Sequence, residues 1–171
     1  MKLTYIKGDA TKPVGDGKKL ILHICNDENA WASGFVLALN KAFGTGEGSP
    51  VERYHSWFHN QVLLDITGRF KLGQVQFVNV GDNTVVVNMI AQSTPGGYKG
   101  FPPIRYQSLE ECLLRIRDRI IKAMKRGGKF SLHGPKFGSG LAGGDWFKIE
   151  EIILRVFKDV DVDFTIYDFV G

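Results

Sequence analysis

Residues 134–146 read G-P-K-F-G-S-G-L-A-G-G-D-W, a stretch that carries five of the chain's 21 glycines. It follows an apolar-alternating run, Phe130, Ser131, Leu132, His133, and leads into a helical pattern of Trp146, Ile149, Ile152, Ile153, Val156 and Phe157. A glycine-dense turn between a strand and a helix N-terminus gathers backbone N–H groups into a concave nest, where unsatisfied donors and the helix dipole favour an anion. A phosphate is the expected guest. Glycines also gather in loops that only need positive φ or close strand-to-helix packing, and that structural reading stays open beside the functional one. Gly138, Gly140 and Gly143 spell G-x-G-x-x-G, the dinucleotide fingerprint. Only about 25 residues and one strand follow, too few for the βαβ unit and acidic residue that the fingerprint requires.

A second corner of the same kind lies upstream. Lys19 to Cys25 (K-L-I-L-H-I-C) is a near-continuous apolar run of strand length, expected to be buried on both faces of a sheet and interrupted by His23. After Asn26 and Asp27 the chain turns small at Trp31-Ala32-Ser33-Gly34-Phe35 and enters a helical pattern of Val36, Leu39, Ala42 and Phe43. Two such corners facing one crevice can grip two phosphates. Before them, Lys2 to Lys7 reads as a strand that breaks at Gly8-Asp9-Ala10, which puts Asp9 at a strand's carboxyl edge, as either a ligand acceptor or a plain turn aspartate.

Pro50 to Asn60 reads as a short helix with proline in its first turn. Its His55 and His59 stand at i, i+4 without the glutamate of a metalloprotease motif, so no metal is expected. Two β-rich runs, from Leu72 and from Thr84 to Gln92, flank Gly81-Asp82-Asn83 and predict a hairpin, hence a mixed sheet. Ser93 to Pro103 has the composition of a flap. Leu109, Leu113, Ile116, Ile120 and Met124 mark a helix over 108–126, and Val162 to Tyr167 is the last strand, ending in Tyr167-Asp168-Phe169. The expectation is a three-layer α/β/α fold around a mixed sheet, as one domain over residues 1–171.

The net charge of +4 is mild and spread along the chain, and the basic run Arg115 to Lys129 reads as the solvated face of a helix, so nucleic acid is not an expected partner. Two cysteines, Cys25 and Cys112, without C-x-x-C spacing argue against a disulfide scaffold or a cysteine zinc site. The N-terminal apolar run is too short for a signal peptide, and no stretch is long enough to span a membrane, so a cytoplasmic location is expected.

Taken together, Y-I-K-G-D-A-T-K-P (5–13), L-I-L-H-I-C-N-D (20–27), W-A-S-G-F-V-L-A-L (31–39), L-G-Q-V-Q-F-V (72–78), V-N-M-I-A-Q (87–92), P-P-I-R-Y-Q-S-L (102–109) and G-S-G-L-A-G-G-D-W (138–146) resemble the macrodomain, the ADP-ribose-binding fold. Within it they resemble the branch of ADP-ribose 1''-phosphate phosphatase-like proteins. The resemblance runs nearly end to end and implies a central sheet of six strands, ADP-ribose or a phosphorylated derivative as ligand, no cofactor and a monomer. It implies that Asp9, flanked by Gly8 and Ala10, accepts from the adenine amine, and that Asn26 holds the distal ribose. The loop from Trp31 through Ala32, Ser33, Gly34 and Phe35 to Val36 would clamp the diphosphate together with Gly138, Ser139, Gly140, Leu141, Ala142 and Gly143. Gln92, Pro135 and Phe137 would line the same pocket, and Tyr167 and Phe169 would pack on the adenine or its ribose.

For a phosphatase, His23 is the candidate acid/base and Asn26 positions the ribose, with Asp27 and Asp145 as reserve carboxylates. Relatives that free ADP-ribose from a glutamate use a lysine near the position of Gln92 and an aspartate at that of Ala142. A lysine–aspartate mechanism is therefore not expected here.

Overall fold

The run T-V-V-V-N-M-I-A-Q makes the best-buried strand of the molecule, with every residue but Gln92 inaccessible, because β-branched and apolar side chains suit a strand covered on both faces. The computed structural model describes residues 1–62, 70–93, 103–140 and 142–169. Along them run β1 (Lys2–Lys7), β2 (Lys18–Asn26), α1 (Phe35–Phe43), α2 (Pro50–Val62), β3 (Val75–Gly81), β4 (Thr84–Gln92), α3 (Tyr106–Met124), β5 (Phe130–Gly134), α4 (Trp146–Val156) and β6 (Asp163–Asp168). The expected flap falls mostly on residues 94–102 and one expected loop contact on Leu141, both outside the described residues.

The strands form one six-stranded sheet in the order β1-β6-β5-β2-β4-β3. Pairing is parallel except between β3 and β4, whose hairpin turns through Gly81, Asp82 and Asn83, all at positive φ. Asp and Asn tolerate that left-handed backbone better than other side chains, which suits this turn to its sequence.

Alternation along β2 and β4 divides the interior into two layers. Leu20, Leu22, Val85, Val87 and Met89 face α3 and α4, packing on Leu109, Leu113, Ile116, Ile149 and Ile153. On the other face Ile21 and Val86 meet Leu39 of α1, while Cys25 and Ile90 meet Tyr54 of α2. The three-layer arrangement is thus the sheet period of two applied to strands buried on both sides.

Helix α3 sits two residues earlier than its hydrophobic pattern suggests. Arg105 is extended at φ −117°, so Tyr106 opens the helix; at the other end Gly127, at φ 90°, lets the Gly128 N–H turn back to the Ala123 carbonyl at 3.0 Å. No helix among the described residues is long and apolar enough to cross a membrane. Cys25 and Cys112 are both free and buried.

Candidate functional site

Strand β2 ends in a loop that Asn26 organises from within. Its Oδ1 accepts from the amides of Glu28 and Ala30, both at 3.0 Å, and its Nδ2 donates to the Ala30 carbonyl at 2.6 Å. The Tyr54 hydroxyl donates to the Asn26 carbonyl at 2.7 Å and ties the loop to α2. Trp31 folds inward over the sheet, its indole donating to Asn40 at 3.0 Å, and the chain then passes Ala32, Ser33 and Gly34 into α1. No side chain caps this helix, so the Phe35 and Val36 N–H groups keep no partner within it.

The second corner leaves β5 at Gly134 and doubles back on itself. Gly138, at φ 78°, accepts at its carbonyl from the Gly144 amide at 2.8 Å. Both glycines are sterically required: a Cβ on Gly138 would stand 2.5 Å from Ile104 Cδ1, and one on Gly144 would stand 2.4 Å from the Gly138 carbonyl oxygen. Gly140 differs, with an ordinary φ and nothing within 4 Å of where a Cβ would be. Its bare backbone faces open space, as close ligand approach demands.

These corners enclose a cleft of about 260 Å³. Its lining includes Ser33, Gly34, Phe35 and Val36 from the first corner, and Pro135, Phe137, Gly138, Gly140 and Ala142 from the second, with His23 and Gln92 in the wall. Ile24 and Lys136 also line it, and the sequence reading missed both. Lys136 Nζ stands 3.3 Å from Asp168 Oδ1, and it is the one lysine or arginine among the described lining residues. A basic residue two positions before a glycine-rich turn was the available signal.

His23 is 2% exposed and lies edge-on beneath Trp31, with ring centroids 5.3 Å apart. Its Nε2 meets Asn88 Oδ1 at 2.5 Å, while Asn88 Nδ2 donates to Gln76 Oε1 at 3.0 Å and to the Pro50 carbonyl at 3.3 Å. Those two acceptors orient the Asn88 amide, so Nε2 is the protonated nitrogen and Nδ1 keeps the lone pair. Burial holds the imidazole down at about 4, against an ordinary 6.5, with the Asn88 contact opposing the shift, so the ring is neutral at physiological pH.

Other expected site residues lie apart from the lining. Asp9 Oδ1 accepts from the Thr11 amide at 2.9 Å and hydroxyl at 2.7 Å, an Asx turn that holds Gly8-Asp9-Ala10 beside the end of β6. Tyr167 packs near Gly8, accepts from the Val14 amide at 3.0 Å and meets His133 Nδ1 at 2.8 Å; Phe169 is 74% exposed beyond it. Ser139 closes its own turn onto the Lys136 carbonyl at 2.6 Å, and the Gly143 amide returns to Gly140 at 3.0 Å.

The two reserve carboxylates are occupied differently from the sequence reading. Asp145 accepts from the Phe147 amide at 2.9 Å as the N-cap of α4, a role its place before a helix dictates, and it does not line the cleft. Asp27 is 4% exposed and outside the described lining; Ser93 donates to its Oδ2 at 3.0 Å, while its Oδ1 has no partner among the described residues. Among the described residues no group of three or more His, Cys, Asp or Glu is placed to hold a metal.

A macrodomain protein from Streptomyces coelicolor is 35% identical, superposes with a TM-score of 0.78, and matches over 99% of this chain and 100% of its own. The chain belongs to the macrodomain family. A Bacteroides thetaiotaomicron protein of unknown function is 42% identical over 98% of each chain, with a TM-score of 0.83. DarTG from Thermosipho africanus in complex with ADP-ribose shares the fold at 13% identity and a TM-score of 0.67, over 99% of this chain and 42% of that one. No family model matches the chain, and no curated protein matches it.

The glycine geometry separates folding from binding. Gly138→Ala is expected to lower stability by ~1–3 kcal/mol through strain and overpacking. Gly140→Ala should leave the melting temperature within a degree or two, since a surface change away from such contacts stays within about 0.5 kcal/mol. Paired thermal melts check both, and equal losses in the two variants would contradict the loop geometry.

His133 is likewise held at about 4 by burial and the charge of Lys19. Both histidines take up their proton on unfolding between pH 6.5 and 4. The unfolded state therefore binds more protons there, and stability falls with falling pH by about 1.4 kcal/mol per unit for each histidine. Urea titrations across that range should show this slope, and His23→Gln should remove about half of it.

Proposed function

We propose that the cleft binds ADP-ribose and that the chain hydrolyses ADP-ribose 1''-phosphate to ADP-ribose and phosphate. The observation that carries this reading is the convergence of two sets of amides without a backbone partner among the described residues, Phe35 and Val36 at one corner and Gly138 and Gly140 at the other, on one cleft walled by a neutral His23. Amides at a helix N-terminus bind anions without desolvating a buried charge. The shared fold of a DarTG bound to ADP-ribose supports the ligand class. The diphosphate lies between the corners, and the adenosine reaches Asp9 and Tyr167. Lys136 exchanges Asp168 for the terminal phosphate.

In turnover, a water oxygen attacks phosphorus and the bond from phosphorus to the 1'' oxygen breaks. The water's proton passes to His23 Nδ1 and then to the departing oxygen. An imidazole held near 4 is a weak base. The loose transition state of phosphoryl transfer asks mainly for positioning and charge stabilisation, so a weak base suffices. Hydrolysis of a glutamate ester asks for more, and Gln92 and Ala142 occupy the positions where its lysine and aspartate would stand.

A second reading, a binding module without turnover, is favoured by one observation: no carboxylate is among the described residues lining the cleft. Hydrolysis of O-acetyl-ADP-ribose or of ADP-ribosylated targets would use the same pocket with another leaving group. Phosphate release and calorimetric binding with ADP-ribose 1''-phosphate separate these. His23→Gln, whose amide can still donate to Asn88, should keep ADP-ribose affinity while lowering phosphate release by roughly 10²-fold or more. Micromolar ADP-ribose binding by the wild type with no phosphate above background would leave the binding module standing.

Asp9→Asn tests the adenine contact better than alanine, because asparagine keeps the oxygen that holds Thr11 and changes only the outward atom. ADP-ribose binding should weaken by ~1.5–3 kcal/mol, the range for a hydrogen bond to a charged group. Unchanged affinity in a stably folded variant would remove Asp9 from the pocket.

A further inference from the structure

A second cleft, of about 350 Å³, straddles the open edge of β3 and shares no lining residue with the first. Trp57 and Gln61, four residues apart on α2, form one wall, and Arg115 and Arg119, four apart on α3, form the other, with Gln74 and Phe77 of the edge segment between them. Among the described residues strand β3 has a strand neighbour only on its β4 side. The cleft therefore joins the two helical layers around the end of the sheet.

The chemistry of these walls is complementary to one class of ligand. Neither Arg115 nor Arg119 forms an ion pair with a carboxylate among the described residues; of the nearby α3 acids, Glu110 and Asp118 are taken by Arg155 and Arg117, and Glu111, one turn before Arg115, lies against Gly73. The Arg119 guanidinium lies 4.1 Å from the centre of the Phe77 ring, which orders it as a flat surface beside the cleft. One turn of helix separates the arginines by about 6 Å along the axis, a span suited to adjacent phosphoryl groups or to one phosphate held from two sides. Lys122 is exposed on the turn that follows.

Opposite them Gln61 Nε2 donates to Gln74 Oε1 at 2.7 Å. Whichever way the two amides are flipped together, the pair retains one unused carbonyl and one unused NH₂, adjacent to each other and to half-buried Trp57. An acceptor beside a donor, with an indole to stack on, matches the edge and face of a nucleobase.

We propose that this edge cleft is a second binding site, for a nucleoside phosphate, with the base against Trp57 and the Gln61–Gln74 amides and the phosphates on Arg115 and Arg119. A free nucleotide and the end of a nucleic-acid strand present the same chemistry. The test measures binding of ATP, an eight-nucleotide deoxyadenylate and tripolyphosphate to the wild type and to the double variant Arg115→Gln/Arg119→Gln. Both arginines are exposed, and matching melting temperatures verify the variant's fold. ATP or the strand should bind the wild type and lose roughly tenfold or more in the variant, with ADP-ribose affinity unchanged. Tripolyphosphate, lacking the base, should bind more weakly than ATP. Tighter binding of the strand identifies nucleic acid as the source, and equal or weaker binding identifies the free nucleotide. Retained affinity in the variant, tripolyphosphate binding as tight as ATP, or no binding of either nucleotide probe overturns the proposal.

Discussion

Parallel pairing of β2 with β4 on one side and β5 on the other determines where ligand chemistry can be placed in this molecule. Parallel strands deliver their carboxyl ends to one edge, so the loops after Asn26, Gln92 and Gly134 leave the sheet side by side although 108 residues of sequence separate the first from the last. The Gln92–Ile104 bridge and the Ile104 amide on the Ala142 carbonyl at 3.1 Å stitch those exits together. A cleft at that edge is the usual consequence in α/β sheets. What is particular here is that each of its lips is a strand-to-helix corner in which small residues, Ser33 and Gly34 on one side and Gly138, Gly140 and Ala142 on the other, leave backbone near the cleft.

A buried polar knot holds the floor of this cleft. Asn88 is fully inaccessible in the middle of an apolar strand, a cost that its contacts with His23, Gln76 and the Pro50 carbonyl offset. The knot couples three parts at once: it docks the first turn of α2, fixes one side of β3, and selects the tautomer of His23. Replacing Asn88 alone by an apolar residue of similar shape would leave the buried His23 Nε2–H without its acceptor, at a cost of about 1–3 kcal/mol, and would free the imidazole to turn. Asp27 shows the opposite case, a carboxylate oxygen buried without a partner among the described residues, one residue beyond the end of β2. Its companion oxygen holds Ser93 at the exit of β4, so the residue acts on loop placement rather than on the cleft.

The sequence carried the element order and the sheet's mixed character clearly, because strands buried on both faces and helices with one apolar stripe have different periods. The shift of α3 toward its N-terminus was not legible: it depends on Arg105 being held extended by pairing with Ala91, a contact between distant residues. At the site, composition identified both corners but could not distinguish glycines that avoid a clash from those that admit a ligand. Gly138 and Gly144 belong to the first kind through Ile104 and each other, while a Cβ at Gly140 would meet only open space. Polar side chains were harder still. Asn26 and Asp145 sit where functional residues are expected, yet their nearest unsatisfied groups are backbone amides of their own loops, and local geometry claimed them first.

Backbone donors of the kind proposed for this cleft would act nearly alike on a diphosphate in substrate, transition state and product. Uniform binding of that kind lowers a dissociation constant without raising a turnover rate. Only a group that meets the transferring phosphoryl or the attacking water can discriminate, and among the described lining side chains Lys136 is the cation and His23 the imidazole that the proposed reading would use. Lys136 is already balanced by Asp168, so in the proposed reading exchanging that partner for a terminal phosphate would replace one ion pair by another without burying a bare cation. His23 offers a lone pair held in place by Asn88 rather than a strong base. Under the proposed phosphatase reading, a displaceable cation and a weak, rigid acceptor would suit a reaction whose bond to the leaving group breaks early, and would suit poorly one that must create a strong nucleophile.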